Sequence, residues 1–413
     1  MSRPNVTFRI NDESLVVPVT EGFSSTNGGM YSPYLALSFL GTTAEQEQGY
    51  MFVSNLNNWF ARLNDRIIGM QNGPTFAAGN TFYSVGKCAA SIIDGTYTST
   101  VEDASAATTN WSSEFKPEWW QVHNFLQYGS GCYVGFKTST ITTPSSAFKD
   151  AEYDVIFHKD SDSIVTIVEY RSSDDRPVIG IVSFPGVSST VVTESDLLSG
   201  IPSGTNSKEY VRMYGSKVHL NSTGTNTITT NLTPDVAGCI VRTDRDFYPW
   251  FSPAGARRGR ILNVLRLEYP VGNESQDILY DSGVNFAVTF AGEGTLLYGD
   301  KTGETDTSTL SRINVSRLFM YVKKALAPVA RSILFEQNDA ITRSRFKIAA
   351  EGFLDRIVAQ RGIQEYKVIC DTSNNTPEVI EANQFVADIL IKPITSINYV
   401  LITLTNKDLS STL

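Results

Sequence analysis

Histidine, cysteine and clustered carboxylates build most active centres, and in this 413-residue chain they are few and scattered. His123, His158 and His219 lie far apart, none with a partner at metal-ligand spacing, so satisfied structural histidines are expected. Cys88, Cys132, Cys239 and Cys370 form no C-x-x-C pair. Buried thiols in a reducing compartment are expected, not a zinc site or a disulfide framework. "GTLLYGDKTG" sets Gly294 and Gly299 at phosphate-loop spacing, yet Asp300 stands where lysine belongs. A carboxylate there would oppose the phosphates such a loop cradles, so a strand and a turn are expected. "HKDSDS" (158–163) lacks the glycine and distal glutamate of a calcium loop and reads as a solvated turn. No nucleophile, base and oxyanion donor fall together. The residues therefore give no catalytic, cofactor-binding or metal site, and the chain reads as not an enzyme.

One segment has the aromatic density of a binding site without its chemistry. "DFYPWFSPAGARRG" (246–259) carries Phe247, Tyr248, Trp250 and Phe251 around Pro249, followed by Pro253, Arg257 and Arg258, with Arg260 just beyond. Pro249 and Pro253 fix the chain, Gly255 permits a turn, and the rings can anchor a corner at a domain junction. The arginines are suited to pair with carboxylates, within the subunit or across an interface. A carbohydrate or nucleotide platform is the rival reading.

Positioning such a corner is the work of the surrounding elements. Length allows two or three domains with cores of their own. Apolar content is 41% and charged content 19%, the balance of a globular chain. No apolar run reaches the length of a bilayer-spanning helix, and the first residues lack the apolar region of a secretory signal. A net charge of −9 argues against a general nucleic-acid binder, and no membrane partner is expected. Helices are expected over 54–68 with Ser54 as cap, over 117–127, over 311–333 with Pro328 inside, and from an Asp339 cap to Gly362 as the C′ residue. "EYDVIFH", "SIVTIVEY" and "RPVIGIVSF" read as three β-runs, and 215–235 reads as a polar surface loop leading to a boundary near 236. "VTFRI" (6–10) alternates as a strand, and strands close the chain in "FVADILIKP" and "SINYVLITLTN".

Three stretches carry a family likeness. "EWWQVHNFLQYGSGCYVGF" (118–136) and "AGCIVRTDRDFYPWFSPAGARRGRI" (237–261) resemble segments of contractile tail sheath proteins of myovirus-type bacteriophages. So do "GVNFAVTFAGEGTLLYGDKT" and "INVSRLFMYVKKALAPVARSILFEQND" within 283–339, the most specific stretch, and "PNVTFRI" (4–10) is similar to the family's N-terminal arm. The resemblance implies an α+β / α/β fold: a sheath-type C-terminal α/β domain with extended N- and C-terminal strand arms plus an inserted mixed α/β domain. The divisions it suggests are 1–20 (arm), 21–235 (outer domain), 236–396 (core domain) and 397–413 (arm). It implies a structural protomer that forms hexameric rings stacked in a helical sleeve around a tail tube. Contraction of the sleeve drives the tube through a host envelope. Tube, baseplate and tail terminator proteins are its implied partners, without cofactor or nucleic acid. The implied location is the virion tail, assembled in the host cytoplasm. A related bacterial injection machine is the near alternative, and an α/β enzyme the distant one.

Two sets of residues follow from that likeness. Val6, Phe8 and Ile10, with Val400, Ile402 and Leu404, are candidates for strand exchange between subunits. The residues alone leave pairing within one subunit equally open, and the resemblance favours exchange. Arg317, Lys324 and Arg331 recur every seventh residue with Lys323 beside them, which puts a basic stripe on the 311–333 helix. By the likeness this is the tube-facing helix, gripping an acidic tube weakly.

Overall fold

The computed structural model describes residues 28–32, 50–59, 116–136, 144–158, 161–174, 176–184, 193–220, 227–305 and 308–396, and singly Ala44, Gln48 and Gly186. The arm residues Val6, Phe8, Ile10, Val400, Ile402 and Leu404, and the 60–68 part of the expected first helix, lie outside these residues.

The strands are β1 (Gly28–Ser32), β2 (Tyr50–Val53), β3 (Cys132–Phe136), β4 (Val155–His158), β5 (Ile179–Phe184), β6 (Tyr210–Tyr214), β7 (Ser216–Leu220), β8 (Thr227–Asn231), β9 (Arg266–Leu267), β10 (Val284–Phe290), β11 (Gly294–Tyr298), β12 (Ile363–Ile369) and β13 (Asp388–Pro393). The helices labelled among the described residues are α1 (Lys116–Leu126), α2 (Ser146–Asp150), α3 (Ser161–Ser173), α4 (Glu194–Leu198), α5 (Thr233–Asp246), α6 (Asn273–Asp281), α7 (Ile313–Ser332), α8 (Ala340–Ala359) and α9 (Pro377–Glu381), with a short unlabelled helix after β2.

Eight strands form one sheet in the order β11-β10-β6-β5-β4-β1-β3-β2. Its six inner strands are parallel, and antiparallel β11 and β2 flank them. A parallel sheet must be covered on both faces. Alternation along β4 shows how: Val155 and Phe157 join a core with Trp120, Phe125, Val236 and Ile240 of α1 and α5, while Ile156 joins Ile164, Ile167 and Val168 of α3. Gly180 lets α3 approach, since a Cβ there would lie 2.7 Å from Val168 Cγ2.

A second core belongs to the C-terminal part. Val315, Leu318, Phe319, Val322 and Leu326 of α7 pack with Phe346, Phe353, Leu354 and Ile357 of α8, over Ile363, Val368, Ile389 and Ile391 of the β12–β13 ribbon. These apolar residues form the buried face of α7, and the helix continues through Pro328. Asp339 caps α8 by accepting the Thr342 N–H at 2.7 Å.

Several expectations are corrected. "SIVTIVEY" lies within helix α3, because Ile164, Ile167, Val168 and Arg171 recur at helical spacing and are buried together; periodicity outweighs β-branched propensity. Within the expected polar loop at 215–235, β7 and β8 form an antiparallel hairpin whose buried side chains include Lys217, His219 and Thr230. The cap of the short helix after β2 is Asn55, which accepts the Asn58 N–H at 2.9 Å, and not Ser54. The boundary at 235/236 falls in the first turn of α5, and strands from both sides of it share the large sheet. At the end of α8 the left-handed position is Arg361, with φ 64°. Gly362 is there for close approach: a Cβ would lie 2.9 Å from the Trp250 indole.

Beneath the hairpin lies a polar cluster. Lys217 Nζ meets Asp235 Oδ1 at 2.8 Å and the Leu262 carbonyl at 2.9 Å, and Tyr128 donates to the same Oδ1 at 3.0 Å. Burial pushes the Asp235 carboxyl up, while the Lys217 ammonium opposes the shift. His123 and His219 flank Trp120, and His219 donates from Nδ1 to the Leu220 carbonyl at 2.9 Å. Burial lowers both histidines to about 4. In the unfolded chain they return to the ordinary imidazole value of 6.5, so that state binds more protons between those two values. Stability held above pH 6.5 is therefore lost as pH falls toward 4, by up to about 1.4 kcal/mol per pH unit for each ring. Urea midpoints should fall from pH 7 to pH 5, and His123→Gln with His219→Gln should flatten that slope.

Candidate functional site

Three features could serve an assembly: the aromatic corner, the basic helix and the C-terminal ribbon. The corner begins where α5 ends. Trp250 is buried in the C-terminal core, donating from Nε1 to the Gln360 carbonyl at 3.1 Å, with Tyr248 stacked on it at 4.8 Å. Asn314 Nδ2 of α7 bonds the Trp250 carbonyl at 3.2 Å. The chain then runs along the outer side of β11. Gly255 N–H bonds the Leu297 carbonyl at 2.9 Å, Leu297 N–H the Gly259 carbonyl at 2.7 Å, and Ile261 N–H the Thr295 carbonyl at 2.9 Å. An open sheet edge invites pairing with other chains, and this segment closes it. The corner thus links the C-terminal core to the edge of the large sheet. Within the subunit, Arg258 sits over the Phe247 and Phe251 rings and Arg257 over Phe247, as cation–π contacts.

The basic stripe of α7 divides along its length. Arg317 is 1% exposed and ion-paired with Asp244 of α5. It is removed from the expected outward-facing set, because the stripe's N-terminal half faces the sheet body. Lys324 Nζ pairs with Asp154 Oδ1 at 2.8 Å, its side chain 40% exposed. Burial pushes the Asp154 carboxyl up, against the pull of Lys324. Seven residues advance a helix by slightly less than two turns, so both cations meet the same body. Lys323, beside Lys324, is half-buried, and further along Arg331 is exposed. At the turn from α7 to α8, Phe335 is 89% exposed and Ile341 62%.

The ribbon pairs β12 with β13 antiparallel, from Ile363 opposite Pro393 to Ile369 opposite Asp388. One face is buried on α8; Glu365, Lys367 and Lys392 point away from it. Asn375, 1% exposed, closes the connection by bonding the Val386 N–H at 2.9 Å and its carbonyl at 2.7 Å. Among the described residues the ribbon has two strands only, so neither outer edge carries a strand partner. Phosphate-loop chemistry finds no support at 294–302: the Asn285 side chain bonds both the N–H and the carbonyl of Lys301, fixing a turn. Cys132, Cys239 and Cys370 are buried, and burial pushes all three thiols up. Among the described residues no His, Cys, Asp and Glu cluster could hold a metal ion.

With that geometry in place, comparison with known proteins is informative. The family model for the phage tail sheath C-terminal domain matches residues 305–406, which include α7, α8 and the ribbon. Over this stretch the chain is similar to a phage tail sheath C-terminal domain. The tail sheath protein of Vibrio phage KVP40 is 45% identical over 169 residues, 41% of this chain, and that of Enterobacteria phage T4 is 44% identical over 169 residues. The chain covers 25% and 26% of the length of these two relatives, about a quarter. The fold is likewise that of contractile sheaths. A sheath complex of an extracellular contractile injection system, PVC, in its contracted state matches with a TM-score of 0.68 at 16% identity, over 98% of both chains. The contracted helical sheath of the anti-feeding prophage matches at 0.64 and 13% identity, over 98% of this chain and 100% of that one. In the matched stretch, α7 and α8 carry the ribbon, and the aromatic corner joins them to the large sheet.

Proposed function

We propose that the chain is a structural protomer of a contractile phage tail sheath, polymerising with copies of itself around a tail tube and contracting to drive the tube through a host envelope. The observation that carries the reading is the two-stranded ribbon of the sheath domain, whose edges lack a third strand among the described residues. Terminal segments with strand patterning, centred on Val6, Phe8 and Ile10 and on Val400, Ile402 and Leu404, are suited to fill such edges on neighbouring subunits. Each backbone hydrogen bond gained contributes about 1 kcal/mol net, so about half a dozen per arm give a link of several kcal/mol before ordering entropy is subtracted. Such links hold while the bodies rotate, which a contracting mesh requires. The energy for contraction then resides in alternative packings of the subunits, with no cofactor.

The tube contact falls to Lys323 and Arg331, with Lys324 shared between tube and Asp154. Arg317 has no part in it. Exposed ion pairs of this kind contribute about 0.2–1 kcal/mol and weaken with salt, which suits a contact that must break. Baseplate and tail terminator proteins would meet the two ends of the sleeve. The location is the virion tail, after assembly in the host cytoplasm. A bacterial injection machine is the second reading, favoured by the likeness of fold to such sheaths; the identity of 43–45% to phage proteins favours the first. Deleting residues 1–12 tests the proposal. A subunit that stays folded, shown by an unchanged melting transition, but no longer polymerises is expected; unimpaired polymerisation would reject arm exchange.

A further inference from the structure

Asp300, the residue that breaks the phosphate-loop spacing, sits at the centre of a cluster with no part in the contacts described so far. It follows β11 and is 5% exposed. Its backbone is held in place: the Asp300 carbonyl accepts the Ile313 N–H at 2.7 Å, and Thr302 N–H bonds the Ser311 carbonyl at 2.9 Å. Oδ1 takes the Arg312 guanidinium at 2.7 Å and the Tyr280 hydroxyl at 3.5 Å. Arg312 also donates to Tyr280, and the Lys301 ammonium lies 4.2 Å from the centre of the Tyr280 ring. The other oxygen, Oδ2, accepts the hydroxyl of Ser396 at 2.5 Å.

Ser396 stands three residues past the end of β13 and immediately before the segment 397–413. Two residues earlier, Ile394 N–H bonds the Gly362 carbonyl at 3.1 Å. The chain leaving the ribbon is thus tied twice, first to the start of β12 and then to the large sheet through Asp300. A side chain used only for local packing would not need a carboxylate already oriented by an arginine and a tyrosine. A hydrogen bond to an ionised acceptor is about twice as strong as a neutral one, and here its acceptor is preorganised.

We propose that Asp300, oriented by Arg312 and Tyr280, is a positioning residue that clamps Ser396 and so sets the exit of the C-terminal segment toward a second copy of this chain. Preorganisation is the physical gain. A strand whose root is fixed spends less ordering entropy when it adds to a neighbour's sheet edge than one whose root swings freely. The clamp also connects the segment mechanically to β11, so a pull on the strand reaches the large sheet and not the ribbon alone.

The inference rests on the strand-exchange reading, and its test separates the two. Three full-chain variants and one truncation are compared: Ser396→Ala, Ser396→Thr, Asp300→Asn and a chain ending at Pro393. For each, the melting transition of the unpolymerised subunit and the critical concentration for polymerisation are measured. Ser396→Ala should shift the melting transition by no more than the loss of one hydrogen bond and, by freeing the root of the segment, raise the critical concentration about ten-fold. Ser396→Thr, which keeps the hydroxyl, should restore it. Asp300→Asn should raise it by a similar factor, and its melting transition shows whether the cluster itself survives. If the truncated chain fails to polymerise while Ser396→Ala polymerises like the parent, the clamp is overturned and strand exchange stands. If the truncated chain polymerises normally, the exchange reading falls and the clamp with it.

Discussion

Asp235→Ala should destabilise the subunit by about 3–5 kcal/mol, a large part of the stability of any domain. Lys217 and Asp235 are both 0% exposed and 2.8 Å apart, so removing the carboxylate leaves a buried ammonium whose remaining hydrogen-bond partner among the described residues is the Leu262 carbonyl. Tyr128 would lose its acceptor as well, and its hydroxyl also receives the Leu262 N–H at 3.0 Å. The position favours a carboxylate further, since Asp235 lies in the first turn of α5, where the helix dipole is positive. The comparison that isolates charge from packing is the double variant Lys217→Met with Asp235→Leu. Replacing both partners by apolar groups of similar size should recover most of the loss, because the desolvation of two charges disappears together. Urea denaturation of the three variants checks this. A single variant within about 0.5 kcal/mol of the parent would mean that the pair contributes nothing.

Asp244→Ala should cost a comparable amount, about 3–5 kcal/mol, for the same reason: the Arg317 guanidinium is 1% exposed and faces that carboxylate. The effect separates two roles that the sequence pattern joined. If Arg317 belonged to an outward grip, loss of Asp244 would barely touch the isolated subunit. As a strut between α7 and α5, it should lower the melting transition of the subunit by several degrees or more. Reversal of Lys323 and Arg331 to Glu is the control. Surface changes at those positions should stay within about 0.5 kcal/mol in stability and show only as weaker assembly on tubes. Unchanged assembly on tubes would reject their role.

Much of the C-terminal part was legible in the residues. The stripe of α7, the Asp339 cap of α8 and the strand in "FVADILIKP" all rest on local signals: spacing, a capping side chain and an apolar run. The misreadings share another cause. In α3, Val165, Ile167 and Val168 favour strands individually, and only burial against β4 and β5 selects the helical alternative. In β7, Lys217 and His219 look like loop residues because their partners, Asp235 and Asn124, come from distant helices. Gly362 has the right residue type for a helix end, but its neighbour is an indole more than a hundred positions earlier. The spacing of Arg317 told which helix face it occupies and could not tell what faces it. The same limit hid the Asp300 cluster, whose members Tyr280, Arg312 and Ser396 meet only through the fold.

Electron microscopy of the purified full-length chain across a range of concentrations tests the central claim most directly. The account predicts hollow, striated tubes of stacked rings above a threshold concentration. A chain that remains a folded single particle at every concentration, with its terminal strands paired inside its own subunit, would contradict it.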